Sequence, residues 1–155
     1  MDIQIEAAAR GDLEDIVELE RQCFLSEAFS RQQISYLLGD YNSISLVARN
    51  NDDRNGGIVG FVILQLENDD ERGGVFGHIV TLNVAAACRR MGVARELLFR
   101  CEELLRLHCV FECRLEVRQT NYVAVELYRQ MGYVEVGLLK KYYVKEHGLY
   151  FKKTL

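Results

Sequence analysis

Hydrophobic and polar positions alternate along the chain with two different periods, one typical of strands and the other of helices. Residues 3–7 have the short period of a strand. Residues 13–23 carry apolar side chains at helical spacing, and we expect Asp12 to cap this helix. Ser30 is a second capping residue and predicts a short helix over residues 30–38. The N-terminal part therefore predicts one strand followed by two helices.

The middle of the chain predicts an antiparallel meander of three strands. β-rich runs at residues 43–48 and 58–66 flank the turn-forming residues 50–57. A further turn at residues 67–74 leads into a third strand, Val75–Val84. Strands joined by such short turns pair with their neighbours in antiparallel fashion.

The C-terminal half alternates helices and strands. An amphipathic helix begins at Gly92, a strand covers Glu112–Arg118, and a second helix is capped by Asn121 and ends at Gly132. Two more strands, at residues 133–139 and 149–155, complete the predicted sheet. This order predicts a single α+β domain over residues 1–155, with helices on both faces of the sheet.

Length, composition and charge limit the classes of function. The chain has 155 residues, of which 49% are hydrophobic, so it can bury one sizeable core. Its formal charge of −4 disfavours a broad nucleic-acid interface, which needs clustered basic residues. No apolar stretch approaches the roughly 20 residues of a membrane span, and no signal segment leads the chain. We expect a cytoplasmic protein with no nucleic-acid or membrane partner.

Five cysteines raise the question of a disulfide or a metal site. Cys109 and Cys113, together with His108, form one tight cluster in the sequence, but no second pair completes four ligands. Cys101 and Cys113 fall on apolar faces of their elements. We therefore expect reduced, structural thiols and no metal.

A strand-to-helix turn is the first candidate binding site. The amide groups of a helix N-terminus have no helical partner and attract anions, and a glycine there lets the backbone approach a ligand. Basic side chains add positive charge where the helix dipole is already positive. An ordinary turn with solvated arginines remains the alternative. The residues are Arg89, Arg90, Met91, Gly92, Val93 and Ala94.

Three further side chains are candidates for chemistry, each with a purely structural alternative. Glu116 lies among charged residues on one face of its strand, which is also the pattern of a solvated face. Tyr128 lies on the apolar face of its helix, where a core aromatic residue is equally expected. His78 lies on a strand face that carries Val80, so it could be a structural partner.

Several segments together resemble the GNAT superfamily of acetyl-CoA-dependent N-acetyltransferases. More narrowly, they are similar to the RimI group and to the NatA-type catalytic subunits, which acetylate protein N-termini. The resemblance implies the GNAT fold, with a mixed, mostly antiparallel sheet of about seven strands. The segments are Arg89-x-x-Gly92-x-Ala94 and residues 115–121, 124–128 and 131–133.

The resemblance also implies roles for residues. It makes acetyl-CoA the co-substrate, with its pyrophosphate on the Arg89 to Ala94 turn and no metal. Glu116 matches the family's general base, and Tyr128 matches the tyrosine that protonates the departing thiolate. His78 would assist the base or contact the acceptor. Residues expected to contact the acetyl and pantetheine groups are Leu82, Asn83 and Val84, through their backbone, and Asn121.

The acceptor half departs from the family pattern. The chain has no proline, and residues 24–30 replace a segment that often shapes the peptide cleft. We expect Phe24, Leu25, His78, Glu116 and Tyr142 to contact the acceptor.

The resemblance implies transfer of acetyl to the α-amino group of a protein N-terminus, with a ribosomal protein or an auxiliary subunit as a possible partner. The alternatives are a lysine or small-molecule amine acetyltransferase and a non-catalytic acyl-CoA-binding module.

Overall fold

The computed structural model describes residues 1–24, 27–143 and 146–155. In these ranges the chain forms seven strands and four helices. The strands are β1 (Ile3–Ala7), β2 (Ser43–Asn50), β3 (Ile58–Asn68), β4 (Val75–Val84), β5 (Glu112–Arg118), β6 (Val134–Tyr143) and β7 (Glu146–Thr154). The helices are α1 (Leu13–Phe24), α2 (Arg31–Gly39), α3 (Val93–Leu107) and α4 (Tyr122–Gln130). Within the same ranges, no helix combines the length and the apolar character needed to cross a membrane.

The strands form one sheet in the order β1-β2-β3-β4-β5-β7-β6. Strands β4 and β5 are parallel, whereas β1 with β2, β2 with β3, β5 with β7, and β6 with β7 pair antiparallel. This confirms the predicted α+β fold with a mixed, mostly antiparallel sheet of seven strands. A parallel pair requires a crossover connection, which here contains α3.

The chain divides into two compact units. One contains residues 1–66 and 80–101, and the other contains residues 67–79 and 102–155. In the first unit, α1 buries Ile16 and Leu19, and α2 buries Ile34 and Leu37, at the three-residue spacing of one helix face. Phe61 of β3 is fully buried in the same core. Each such side chain stabilises the fold by roughly 1.5–3 kcal/mol.

The core of the second unit is built around aromatic rings. The ring of Tyr128 lies 5.8 Å from that of Tyr133 and 6.3 Å from that of Phe151, measured between centroids. Gly77 of β4 is buried directly below Leu105, such that a Cβ atom at position 77 would lie 2.7 Å from Leu105 Cδ1. Close approach of α3 to β4 therefore requires glycine at this position.

Two predicted caps are confirmed. Ser30 accepts a hydrogen bond from the N–H of Gln33 at 3.1 Å, and Asn121 accepts one from the N–H of Ala124 at 3.3 Å. The expectation for Asp12 is wrong, because a 3₁₀ turn over Arg10–Asp12 precedes α1. Its carboxylate instead accepts the N–H of Ala9 at 2.8 Å and forms an ion pair with Arg49 at 2.6 Å.

Four strands also differ in extent from the prediction, and β2 is one of them, since it continues to Asn50 rather than ending at Ala48. β3 continues through Asn68, so residues 67 and 68 belong to the strand rather than to the following turn. β6 begins at Val134 and extends to Tyr143, and β7 begins at Glu146. The ends of β6 and β7 pair with each other, with Leu139 opposite Gly148 and Tyr143 opposite Glu146.

Candidate active site

His78 lies between two carboxylates in the second unit. Its Nε2 atom is 2.6 Å from Oε2 of Glu116, and its Nδ1 atom is 2.8 Å from Oε2 of Glu67. The parallel register of β4 and β5 places His78 opposite Arg114, two positions before Glu116 along β5. Glu67 lies near the end of β3. The structure therefore brings two of the predicted residues, His78 and Glu116, into direct contact.

The environment of His78 favours its charged form. Burial alone would lower the pKa of the imidazole, but the hydrogen bonds and negative charges of Glu116 and Glu67 outweigh burial and raise the pKa. A charged imidazole has an N–H on each nitrogen, whereas a neutral one has only one. Two carboxylate contacts within hydrogen-bond distance are therefore best satisfied by the imidazolium.

Glu67 was not predicted as a site residue, because residues 67–74 were predicted to form a turn. The observed turn begins two residues later, where the N–H of Asp69 donates to the carbonyl oxygen of Gly74 at 2.9 Å. A signal was present in the sequence. Gln65 and Glu67 alternate with Leu64 and Leu66 and so continue the strand period.

Tyr128 is 7% exposed, and its ring belongs to the aromatic core described above. Burial raises the pKa of its phenol, and the negative charges of Tyr143 and Cys113 would raise it further. The phenol therefore stays protonated over the physiological pH range. Asn121, which caps the N-terminus of α4, fixes the start of the helix that carries Tyr128.

Two tyrosines at the end of β6 lie near Glu116. The rings of Tyr142 and Tyr143 meet edge to face with centroids 5.0 Å apart. Burial raises the pKa of each phenol, and the charge of Glu116 contributes to both increases. Tyr142 is exposed. Arg118 stacks over the ring of Tyr143 at 4.5 Å.

The candidate anion-binding turn lies in the first unit. Arg90 and Gly92 have positive φ angles of 64° and 79°, and the N–H of Glu96 donates to the carbonyl oxygen of Gly92 at 3.0 Å. That bond is the first of the helix, so the preceding amides have no helical carbonyl to bind. A Cβ built on Gly92 meets open space, which leaves room beside the backbone. The Nε of Arg89 donates to the carbonyl oxygen of Val84 at 3.3 Å.

Asn83 and its neighbours on β4 surround a buried carboxylate in the same unit. Glu20 is 1% exposed, and its Oε1 accepts hydrogen bonds from Thr81 Oγ1 at 2.6 Å and Asn83 Nδ2 at 2.8 Å. Its Oε2 accepts the N–H of Phe29 at 3.0 Å. The Nδ2 group of Asn83 therefore has a structural role.

The remaining predicted residues range from exposed to buried, and one of them lies outside the described ranges. Leu82 and Val84 are half-buried on the β4 face opposite to Asn83, and Phe24 is half-buried at the end of α1. Met91 is exposed, whereas Val93 is buried at the start of α3. Leu25 lies outside the described residues.

The five cysteines all lie in the described part of the chain and are reduced. Burial raises the pKa of the Cys113 thiol to about 12, which makes it a poor nucleophile. Cys101 is also fully buried, as expected from its helix face. Among the described residues, no group of three or more His, Cys, Asp or Glu side chains is arranged to hold a metal ion.

Known proteins resemble this chain over nearly its whole length. The family model described as "Acetyltransferase (GNAT) family" matches residues 13–133. An N-alpha-acetyltransferase of Sulfolobus acidocaldarius is 31% identical over 95% of this chain and 89% of its own length. The N-alpha-acetyltransferase RimI of Mycobacterium tuberculosis is 29% identical over 91% of this chain and 84% of its own length.

The fold has a solved counterpart as well. A chain in the crystal structure of the NatC complex bound to Gag peptide and CoA superposes with a TM-score of 0.89 at 22% identity, covering 100% of this chain and 99% of that one. Three observations agree with one another. They are the order of the strands in the sheet, the family match over residues 13–133, and the 31% identity to a relative that is matched over 89% of its own length. The protein is therefore an acetyltransferase enzyme that belongs to the GNAT family.

Proposed function

We propose that this enzyme transfers the acetyl group of acetyl-CoA to the α-amino group of a protein N-terminus, with Glu116 as general base. The observation that carries this proposal is the 2.6 Å contact between His78 and Glu116. The names of the two N-alpha-acetyltransferase relatives support the choice of an α-amino acceptor.

The reaction requires a neutral amine. An α-amino group has a reference pKa of roughly 7.7–8.0, so a substantial fraction of it is already neutral near physiological pH. Glu116 therefore needs only to accept a proton from a group that releases it readily, directly or through a water molecule. His78 orients Glu116 by donating a hydrogen bond from Nε2.

The first unit supplies a turn that fits the pyrophosphate of acetyl-CoA. The first amides of α3, the open space beside Gly92 and the exposed side chain of Arg90 suit an anion. We assign the backbone of Leu82, Asn83 and Val84 to the pantetheine and acetyl amide and carbonyl groups, in the manner of an added strand. When bound, acetyl-CoA supplies a thioester carbonyl that an amine can attack.

Tyr128 is the proposed acid. Its phenol is kept protonated by burial, so it can give a hydrogen bond or a proton to a leaving thiolate. Asn121 is proposed to contact the pantetheine arm in addition to its capping role.

The acceptor side chains are proposed to be Phe24, Leu25 and Tyr142, together with His78 and Glu116. A lysine or small-molecule amine is the alternative acceptor, and a non-catalytic acyl-CoA-binding module is the alternative function. We also propose that the enzyme acts in the cytoplasm as a single domain without a metal, on ribosomal proteins or together with an auxiliary subunit.

Peptides that differ only at their first residue test the proposal. Each is incubated with acetyl-CoA labelled in the acetyl group, and the labelled position is mapped by mass spectrometry. Matched controls have a blocked N-terminus and one internal lysine. Label on the free α-amino group, and much less on the blocked peptides, is the expected result. Equal labelling of the blocked peptides, or no labelling of any peptide, would contradict it.

A further inference from the structure

We propose that Glu67 is a positioning residue for the base: it holds Nδ1 of His78 and so directs Nε2 to Glu116. This inference rests on the proposed function for its catalytic meaning, but the contact itself does not depend on it. Glu67 comes from β3, His78 from β4 and Glu116 from β5, so three strands each supply one member of the chain of contacts.

The geometry of the ring requires both partners. The two contacts, 2.8 Å at Nδ1 and 2.6 Å at Nε2, lie on the two nitrogens of one imidazole. A ring held only at Nε2 can rotate about its bond to Cβ, whereas a ring held at both nitrogens has one orientation. The hydrogen bond at one nitrogen also decides which nitrogen keeps the proton in the neutral form.

Glu67 therefore determines how His78 contacts Glu116, both when the imidazole is charged and when it is neutral. In the charged ring, Nε2–H donates to Glu116 and orients that carboxylate. When the ring is neutral, Glu67 retains the proton on Nδ1, and the lone pair of Nε2 faces Glu116. A proton that Glu116 has taken from an amine can then pass to Nε2, which leaves Glu116 as a carboxylate and His78 as an imidazolium.

The cation that lies opposite His78 in the sheet is held by other residues of the same unit. Arg114 lies opposite His78 in the register of β4 and β5. Its guanidinium is held by Asp69 at 2.5 Å and Glu112 at 2.8 Å and lies 3.7 Å above the ring centroid of Phe76. The cation of Arg114 is therefore paired with other carboxylates. The charge and hydrogen bonds of Glu116 and Glu67 raise the pKa of His78 against the opposing effect of burial.

The exposure of Glu67 makes it suitable for mutation. Its side chain is 42% exposed, so replacing it should leave the fold intact. Glu67→Gln can still accept the Nδ1–H through its amide oxygen but has no charge. Glu67→Ala removes both the charge and the acceptor. Glu71→Gln, in the exposed turn that follows β3, removes one glutamate charge away from the ring and is the matched control.

The primary measurement is the titration of the His78 ring nitrogens by NMR, with His78→Asn used to assign the signals. We expect Glu67→Ala to lower the pKa of His78 by roughly one unit or more, since an opposite charge at this distance shifts a pKa by that amount. Glu67→Gln should lower the pKa but keep the proton on Nδ1 in the neutral ring. Unchanged pKa and unchanged tautomer in both variants, as in Glu71→Gln, would overturn the proposal.

A kinetic measurement then tests the catalytic meaning. On a peptide that the wild type acetylates, Glu67→Ala should lower kcat more than Glu67→Gln does, with little change in KM for acetyl-CoA, and it should shift the pH profile of kcat. An unshifted pH profile with wild-type kcat in Glu67→Ala would overturn the positioning role. If the wild type acetylates no peptide, the proposed function fails, whereas the NMR titration still decides whether Glu67 controls His78.

Discussion

The Nε2 atom of His78 and the Oε2 atom of Glu116 lie 2.6 Å apart on two adjacent parallel strands. This distance is that of a charge-assisted hydrogen bond, which is shorter and stronger than one between neutral groups. It links the residue proposed as base to a group whose charge depends on pH.

The role of Glu116 is tested by Glu116→Gln, which keeps the shape of the side chain but not its basicity. We expect turnover to fall by roughly 10²- to 10⁴-fold, the usual loss when general acid–base catalysis is removed. Affinity for CoA, measured by calorimetry, should stay the same. A loss of less than tenfold would contradict the assignment.

A double variant separates shared from independent roles. If His78 and Glu116 can each act as the base, the loss of turnover in Glu116→Gln combined with His78→Ala exceeds the product of the two single losses. If His78 acts only through Glu116, the double variant loses no more than Glu116→Gln alone.

Stability should depend on pH through His78. Its pKa in the folded protein is raised above the value of about 6.5 in an unfolded chain. The stabilisation from its carboxylate contacts is therefore complete below that pH and is lost as the pH rises through the folded-state pKa. Urea unfolding at a series of pH values should show this decrease in the wild type. His78→Gln should flatten the decrease, and equal slopes for both proteins would rule out this linkage.

The turn that precedes α3 is tested by Gly92→Asp. The substitution places a negative charge where we propose the pyrophosphate binds, so affinity for CoA should fall. Because Gly92 has a φ angle of 79°, any side chain also strains the backbone. Gly92→Ala has the same strain without the charge and is the control. Calorimetry that gives equal CoA affinities for the two variants would argue against an anion at this turn.

The hydroxyl of Tyr128 is tested by Tyr128→Phe. The ring still packs against Tyr133 and Phe151, so fold and CoA affinity should be retained. Turnover should fall, although modestly, because a thiol with a pKa near 8.5 leaves as a thiolate without great difficulty. Tyr133→Phe is the matched control. It loses a buried hydrogen bond to Glu102, so it should lower stability rather than turnover. Wild-type turnover in Tyr128→Phe, with chemistry rate-limiting, would make this residue a core aromatic only.

Local features of this protein were predictable from the sequence, whereas contacts between distant residues were not. Ser30 and Asn121 were identified as caps because a cap depends on residues only three positions away. Glu20, in contrast, reads as one more polar residue of α1, and its partners Thr81 and Asn83 lie on a strand 61 and 63 positions later.

The same distinction between local features and distant contacts explains which features of the site could be predicted. Glu116 and His78 could be proposed because their segments resemble a known family, but neither strand alone shows that they touch. Their contact depends on the parallel register of β4 and β5, which is set by the whole sheet. Glu67 was missed because residues 67–74 were assigned to a turn, and its distance to His78 is visible only in the folded sheet.

Gly77 and His78 are neighbours in sequence, but different contacts determine which residue each position can hold. Position 77 has no room for a side chain, since the fully buried Leu105 of α3 would have to give way. Position 78 is defined by the carboxylates on either side of the ring. A descendant of this protein that lost its activity would thus be free to replace the histidine yet still need the glycine. Whether related sequences keep both residues or only the glycine would show whether selection preserves the fold alone or also turnover.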